Sequence, residues 1–293
     1  MPPSAMVPTP ATGWQARLTL GFQRQHARTI LGSCAHHGPL RVQRPFYPEG
    51  DEICHVALLH PPGGVVGGDE LRIDVTLHSD ARALVTTPAA GKFYRSAGPR
   101  ARQIQRLRVA AGAALEWLPQ ENIVYSGARV HAGTHVELQG DARFIGWEIL
   151  CLGRPAAGER FATGDYRQDF ELWRDGEPLY LEHGRYPGGD VILDARWGLQ
   201  SQPVSATLAC VGAPPDGVAA IRAEWEAFTD PTAPRPAEQS EERATATQLD
   251  GVLVCRYLGT STARARRFFT SAWSVLRPKV LGRPPCPSRF WNT

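Results

Sequence analysis

Two glutamates stand in apolar, strand-like segments, where a carboxylate either performs chemistry or must be neutralised. Glu148 lies in Phe-Ile-Gly-Trp-Glu-Ile-Leu at 144–150, and alternation makes both faces of that segment apolar. Glu116 has a similar setting in Ala-Leu-Glu-Trp-Leu at 114–118. A buried carboxylate is costly unless it is charge-paired, hydrogen-bonded, protonated, or supplied with water or a metal. Each glutamate is therefore expected either to pair with an arginine or to line a hydrated interior path.

The nine histidines and six cysteines do not predict a tight metal site. His131 and His135 have an apparent ligand spacing, but their segment has a strand pattern, in which four residues span about 13 Å. That distance is too long for one ion, so we interpret both as surface residues. The cysteines are widely spaced, the closest two being Cys34 and Cys54. None forms the close pair that zinc ribbons and redox motifs require.

No familiar catalytic motif accompanies these residues. The sequence contains no Gly-x-Ser-x-Gly elbow, no His-Glu-x-x-His and no Walker A phosphate loop. We therefore expect a non-catalytic protein that does not hydrolyse GTP. A carbohydrate-active β-fold hydrolase with two catalytic carboxylates remains an alternative, because the separation of two carboxyl groups is a spatial quantity.

A glycine-rich stretch, His-Pro-Pro-Gly-Gly-Val-Val-Gly-Gly-Asp at 60–69, precedes a clear strand pattern from Leu71 to Leu77. We call it the first signature segment. No Gly-Lys-Ser/Thr follows, so it is not a nucleotide loop. Its glycines predict a turn with positive φ, a bulge, or a backbone that another chain approaches closely. These glycines are Gly63, Gly64, Gly67 and Gly68.

The second signature segment is Thr-Thr-Pro-Ala-Ala-Gly-Lys-Phe-Tyr-Arg-Ser at 86–96. Together the two segments resemble the signature of the UreD (UreH) family of urease accessory proteins. Further motifs follow in the family order: Leu-Pro-Gln-Glu-Asn-Ile at 118–123, Gly-Trp-Glu at 146–148, Arg-Pro-Ala-Ala-Gly-Glu at 154–159, Arg-Tyr-Leu-Gly at 256–259 and Arg-Phe-Trp-Asn-Thr at 289–293. The tail reads Pro-Ser-Arg-Phe-Trp instead of the family's usual Pro-Arg-Ile-Trp.

This resemblance implies a helix-poor, β-helix-like scaffold, or chaperone, for nickel insertion into apo-urease. It implies three partners: apo-urease, UreF and, through UreF, the GTPase UreG. It also implies an internal tunnel for nickel, with transient Ni²⁺ and no tightly bound cofactor. The predicted partner-binding or signature residues are the four glycines with Lys92, Phe93, Tyr94 and Arg95.

A nickel path should hold its cargo weakly, because tight His or Cys sites would trap a metal so high in the Irving–Williams order. Isolated carboxylates and water suit passage better. Glu148 is the leading candidate for this path. The other candidates are Glu116, Asp69, Glu182 and His60.

Composition restricts the remaining classes of partner. The 293 residues are 42% hydrophobic and carry a formal net charge of +3, which does not indicate a nucleic-acid partner. Arg264, Arg266 and Arg267 could form a basic patch, but we interpret them as the solvated face of a helix. The sequence has no signal-peptide pattern and no apolar run of about eighteen residues. We therefore expect a cytoplasmic protein with no membrane association.

The elements that must position these residues are mostly strands. Short alternating segments separated by turn signals predict a mainly β fold with a β-helix-like or sandwich-like body. The clearest hairpin joins 169–174 to 177–181 through Asp175-Gly176, a pair that favours a type I′ turn.

Two short helices are predicted near the C-terminal third. The first covers 216–228, and the second follows the apolar pattern from Ala265 to Leu276, with caps at 260–262 and a stop at Pro278. Residues 1–13 are predicted to be a disordered tail, and 14–293 to form one domain. Residues 231–247 are predicted to form a mobile loop.

Overall fold

The computed structural model describes residues 13–228 and 242–292, and most of this chain forms two large β-sheets. The first sheet has seven strands: β1 (Gln15–Gln25), β2 (Arg28–His37), β5 (Glu70–Leu77), β8 (Ala101–Val109), β11 (Arg129–Leu138), β13 (Asp165–Arg174) and β14 (Glu177–Pro187). The second has ten: β3 (Arg41–Val42), β4 (Cys54–Leu59), β6 (Arg82–Thr86), β7 (Gly91–Phe93), β9 (Ala114–Leu118), β10 (Asn122–Val124), β12 (Arg143–Leu152), β15 (Val204–Val211), β16 (Arg243–Leu249) and β17 (Val252–Gly259).

The chain forms both sheets as it winds through successive coils. In the first sheet, β13, β11, β8, β5 and β1 are parallel neighbours, and antiparallel β14 and β2 form the edges. In the second, β12, β9, β6 and β4 are parallel neighbours. From β5 to β12 the long strands alternate between the two sheets, so each coil adds one strand to each. The predicted mainly β, β-helix-like body is confirmed.

The two sheets enclose one hydrophobic core, and the second sheet has another on its outer face. β8 and β11 alternate between buried and more exposed residues, as expected for a sheet with one solvated face. All five residues of β9 are buried, because both of its faces are covered. The outer core lies between the ten-stranded sheet and two helices, α1 (Gly217–Phe228) and α2 (Thr262–Leu281).

Both helices were predicted, but α2 extends beyond its expected end. The Ser261 side chain caps its N-terminus by accepting a hydrogen bond from the Arg264 N–H at 3.3 Å. Pro278 lies inside the last turn and does not end the helix. The end comes at Gly282, which has a φ of 66° and donates to the Pro278 carbonyl. One missing N–H near a helix terminus is tolerated because packing of the apolar face holds the last turn.

The predicted hairpin is confirmed, whereas the predicted mobile loop is partly wrong. Asp175 and Gly176 both have positive φ, and Arg174 pairs with Glu177 across the turn. Residues 243–247 belong to β16, which pairs with β17 along its whole length. Residues 1–12 and 229–241, which hold most of the predicted tail and loop, lie outside the described residues.

Candidate functional site

Both signature segments line one cavity of about 440 Å³, which we call the signature cavity. His60 and Gly63 come from the first segment, and Thr87 and Lys92 come from the second. Glu148, on β12, lines the same cavity. Successive coils of the β body stack on one another as a solenoid. Parts of the chain that are distant in sequence therefore line one cavity.

The four glycines of the first segment have two different roles. The outer two, Gly63 and Gly68, have positive φ values of 77° and 95°, which favour glycine. The inner two are needed for close packing. A Cβ at Gly64 would lie 2.1 Å from the Tyr94 ring, and one at Gly67 would lie 2.1 Å from a side-chain oxygen of the second segment. The predicted positive φ is therefore confirmed at two positions. At the other two the close approach comes from the second signature segment of the same chain, and approach by a partner stays a prediction.

The four signature residues of the second segment differ in exposure. Phe93 is fully buried in the core between the sheets, so it packs the fold and does not form a partner surface. Tyr94 is half-buried and makes an edge-on contact with Tyr125, with 5.0 Å between ring centroids. Arg95 is exposed, and Lys92 is half-buried at the cavity.

Glu148 points into the core between the sheets and is held by polar side chains of the opposite sheet. Its Oε2 accepts a hydrogen bond from Gln168 Nε2 at 2.5 Å, and the Thr134 hydroxyl lies against its Oε1. Thr134 is also 2.7 Å from Gln105 Oε1, and its single proton cannot be donated to both acceptors. Burial raises the pKa of Glu148 from its usual value near 4.5 to about 7. No cation of the described chain is among the hydrogen-bond partners of its carboxylate.

Two residues that line the signature cavity carry buried polar atoms without a partner. Trp117 Nε1 and Gln120 Oε1 both belong to cavity-lining residues, and within the described chain neither has a hydrogen-bond partner. Buried polar atoms are normally satisfied by protein or by ordered water. The cavity volume far exceeds what one water requires. The cavity is therefore suited to hold several water molecules beside Glu148.

His60 and Asp69 lie near each other, but only His60 lines the cavity. Burial lowers the pKa of His60, and the charge of Asp69 opposes this effect. A neutral imidazole can donate a nitrogen lone pair to a metal. Asp69 is occupied instead by backbone amides: its two oxygens accept hydrogen bonds from Trp14 N–H at 2.8 Å and Val66 N–H at 3.0 Å. Its observed role is to fix the first signature segment.

Beyond Glu148, a row of polar residues crosses the inner face of the ten-stranded sheet. Glu148 pairs with Thr207 on β15, and Thr207 pairs with Arg256 on β17. We call these three residues the polar row. Glu182, on β14 of the opposite sheet, lies 3.4 Å from Arg256 and raises the pKa of Glu148 by its negative charge. Glu148 and Glu182, two of the predicted path residues, are therefore electrostatically linked.

Glu116 pairs with an arginine, which is the other arrangement predicted for a buried carboxylate. It faces α2, on the side of the ten-stranded sheet opposite to Glu148. Its oxygens accept hydrogen bonds from Arg277 Nε at 2.9 Å and Nη2 at 3.2 Å, and from Trp273 Nε1 at 2.6 Å. Glu116 is thus neutralised outside the cavity. Because the sheet separates it from Glu148, these two carboxylates cannot act on one substrate as a hydrolase pair.

Sequence reasoning missed the residues that decide these two outcomes. Gln105, Thr134 and Gln168 surround Glu148 from three strands, and Arg277 is fully buried beside Glu116. Polar residues at inward positions of β8 and β11 were a usable signal for the first group. Arg277 follows Phe269 and Trp273 at helical spacing, so the period of α2 was a usable signal that it lies on the buried face.

The predicted solvated arginine face of α2 is only partly correct. Arg267 is exposed, whereas Arg264 and Arg266 are half-buried and lie against Glu242 and Glu121.

The predicted surface histidines are on the solvated face of the first sheet. His131 Nε2 lies 2.6 Å from Asp169, and His135 Nδ1 lies 3.1 Å from Glu171. Across residues 13–228 and 242–292, no group of three or more His, Cys, Asp or Glu side chains has a geometry that could hold a metal ion. Over the same ranges, no helix combines the length and apolar character needed to cross a membrane.

Comparison with known proteins identifies the family. The family model described as "UreD urease accessory protein" matches residues 15–292. A urease accessory protein UreD from Azoarcus sp. (strain BH72) is 48% identical over 281 residues, covering 96% of this chain and 95% of the relative. The UreD of Dechloromonas aromatica (strain RCB) is 44% identical, covering 98% and 97%. That of Pseudomonas fluorescens (strain Pf-5) is 43% identical, covering 100% and 99%. The chain belongs to the UreD family of urease accessory proteins, whose role is in urease maturation.

Proposed function

We propose that this protein is a scaffold that binds apo-urease and the UreF–UreG GTPase module and conducts nickel toward the urease active site. The observation that supports the nickel path most strongly is the signature cavity. Both family segments and Glu148 line it, although they lie on separate coils of the solenoid. One cavity shared by the two signature segments and Glu148 gives a single function that would require all three.

The chemistry of the cavity suits passage of Ni²⁺ better than storage. Glu148 supplies one carboxylate, His60 supplies one imidazole, and the cavity volume of about 440 Å³ leaves room for water. So few protein ligands leave most of the nickel coordination shell to water, which keeps binding weak. A cation arriving at Glu148 would take the place of the proton that burial favours there.

We assign the GTP hydrolysis that drives this process to another chain. GTP hydrolysis requires a phosphate loop with Lys and Ser/Thr, and this sequence contains none. The proposed division of labour gives the UreD-family protein the binding surfaces and the path, whereas UreG, recruited through UreF, supplies the energy. The path runs from the signature cavity through Glu148 and along the polar row toward Glu182.

The test is Glu148→Gln, which keeps the size of the side chain but cannot ionise. We expect the variant to assemble with UreF, UreG and apo-urease while the nickel content of urease falls severalfold. Glu177→Gln, an exposed glutamate on β14, is the matched control and should load urease normally. Metal analysis of purified urease and the yield of the co-purified complex are measured together. Full nickel loading by the Glu148→Gln complex would remove this residue from the path.

A further inference from the structure

The polar row meets the opposite sheet in a closed cluster, which we call the Arg256 cluster. It consists of Tyr180 and Glu182 on β14 and Arg256 on β17. The Tyr180 hydroxyl donates to Glu182 Oε2 at 2.7 Å and accepts from Arg256 Nη2 at 2.9 Å. Arg256 Nη1 lies 3.4 Å from Glu182 Oε1. Each member therefore contacts both of the others.

The cluster lies between the protein interior and solvent. Tyr180 is 7% exposed, whereas the side chains of Glu182 and Arg256 are 21% and 55% exposed. The guanidinium thus lies on the solvent side of a carboxylate that is electrostatically linked to Glu148. The pKa of Tyr180 is raised by burial and by Glu182, so the hydroxyl keeps its proton and remains a donor.

We infer that Arg256 is the residue that excludes divalent cations from Glu182 in the unbound protein and so closes this end of the polar row. The inference rests on the proposed nickel path and specifies how its second end is controlled. Arg256 occupies the carboxylate that a cation would need as a ligand, and its positive charge repels any cation that approaches. Opening this end requires the guanidinium to move away from Glu182.

A role limited to stability does not account for this position. An ion pair with a half-exposed arginine contributes little to folding. A guanidinium here nevertheless determines whether the carboxylate nearest the edge is available to a second cation. The chemical class that this residue discriminates against is therefore hydrated divalent metal ions, and its effect must depend on charge and on Glu182.

The experiment measures Ni²⁺ binding to the protein purified with UreF, using calorimetry with nickel chloride. Arg256→Gln should bind Ni²⁺ about tenfold more tightly than wild type, because Glu182 is released and the repelling charge is removed. Arg256→Lys keeps the charge and should resemble wild type. The double variant Arg256→Gln/Glu182→Gln should lose the gain. Melting temperature is recorded for each protein.

Equal affinities of wild type and Arg256→Gln would overturn the inference, as would a gain that persists without Glu182. A fall in melting temperature with no change in affinity would assign Arg256 to stability alone. Failure of the nickel path itself is recognised separately, by full urease loading with Glu148→Gln. A Glu182-dependent gain in Arg256→Gln would still establish cation exclusion in that case.

Discussion

At the scale of single residues, two glutamates with nearly the same sequence surroundings differ in how the buried carboxyl group is accommodated. Both stand in strands of the ten-stranded sheet with apolar neighbours on each side. Glu116 meets Arg277 and is neutralised by an ion pair. Glu148 meets only neutral polar side chains; burial favours its protonated form, and the hydrogen bonds from Thr134 and Gln168 oppose this effect only in part. The direction in which each side chain leaves the sheet decides the outcome.

The raised pKa of Glu148 predicts a pH-dependent stability. In the unfolded chain its pKa returns to near 4.5, whereas in the folded protein it is about 7. The stabilising contribution of the protonated acid is therefore complete below about pH 4.5 and is lost as pH rises through 7. In chelator-containing buffer, Glu148→Gln should gain about 2–3 kcal/mol relative to wild type between pH 5 and pH 8.

Urea unfolding at the two pH values measures this difference. The exposed Glu177→Gln serves as control, and its difference from wild type should be nearly the same at both pH values. If Glu148→Gln and wild type differ equally at pH 5 and pH 8, the carboxyl does not titrate in this range.

At the scale of elements, one fully buried arginine of α2 adds a charged link to the apolar contacts between this helix and the β body. Arg277 bonds Glu116 on β9 and also donates from Nη2 to Glu49 at 2.6 Å. Glu49 in turn lies 2.7 Å from His55 Nε2 on β4. A helix, two strands and a loop thus share one charged network inside the outer core.

Removing one member of this network is expected to be costly. Glu116→Ala leaves Arg277 buried with a missing partner and should destabilise the protein by about 3–5 kcal/mol. The double variant Glu116→Leu/Arg277→Met removes both charges and leaves Glu49 paired with His55, so it should be clearly more stable than Glu116→Ala. Thermal unfolding of the two variants tests the order. A single variant as stable as wild type would show that the network is not coupled to folding.

The strands, the hairpin and both helices could be predicted from the sequence because each depends on local rules. Alternation predicted β5, Asp175-Gly176 predicted the turn, and the apolar period predicted α2. The cavity could not be predicted in this way, since its residues come from different coils and no local pattern states which coils are adjacent. The choice of Glu116 rather than Glu148 as the partner of Arg277 depends on which face of the sheet α2 covers.

At the scale of the whole molecule, the loop between β14 and β15, residues 188–203, presents apolar side chains to solvent. Trp197 is 74% exposed and Val191 is 65% exposed. The loop is fixed by its own backbone hydrogen bonds, including Leu199 N–H to the Ile192 carbonyl at 2.8 Å. Exposed apolar surface that is held in place is typical of interaction sites and also promotes aggregation.

This surface predicts poor solubility of the protein on its own. The double variant Trp197→Ser/Val191→Ser should remain monodisperse at a severalfold higher concentration than wild type, because it removes most of the exposed apolar area of the loop. Arg196→Ser changes the exposed polar neighbour and serves as control. Light scattering over a concentration series measures the effect. A wild-type protein that stays monomeric at the highest concentrations would contradict the prediction.

The network around Arg277 also bears on how the chain is completed during synthesis. Arg277 follows Glu116 by 161 positions and Glu49 by 228. Until α2 has been synthesised, the part of the outer face that it covers stays open and both glutamates lack Arg277 as a partner. Only when α2 emerges is this part of the face buried and the negative charge of Glu116 balanced by Arg277. The nascent β body therefore exposes part of its outer face, and synthesis of α2 supplies the helix that covers it.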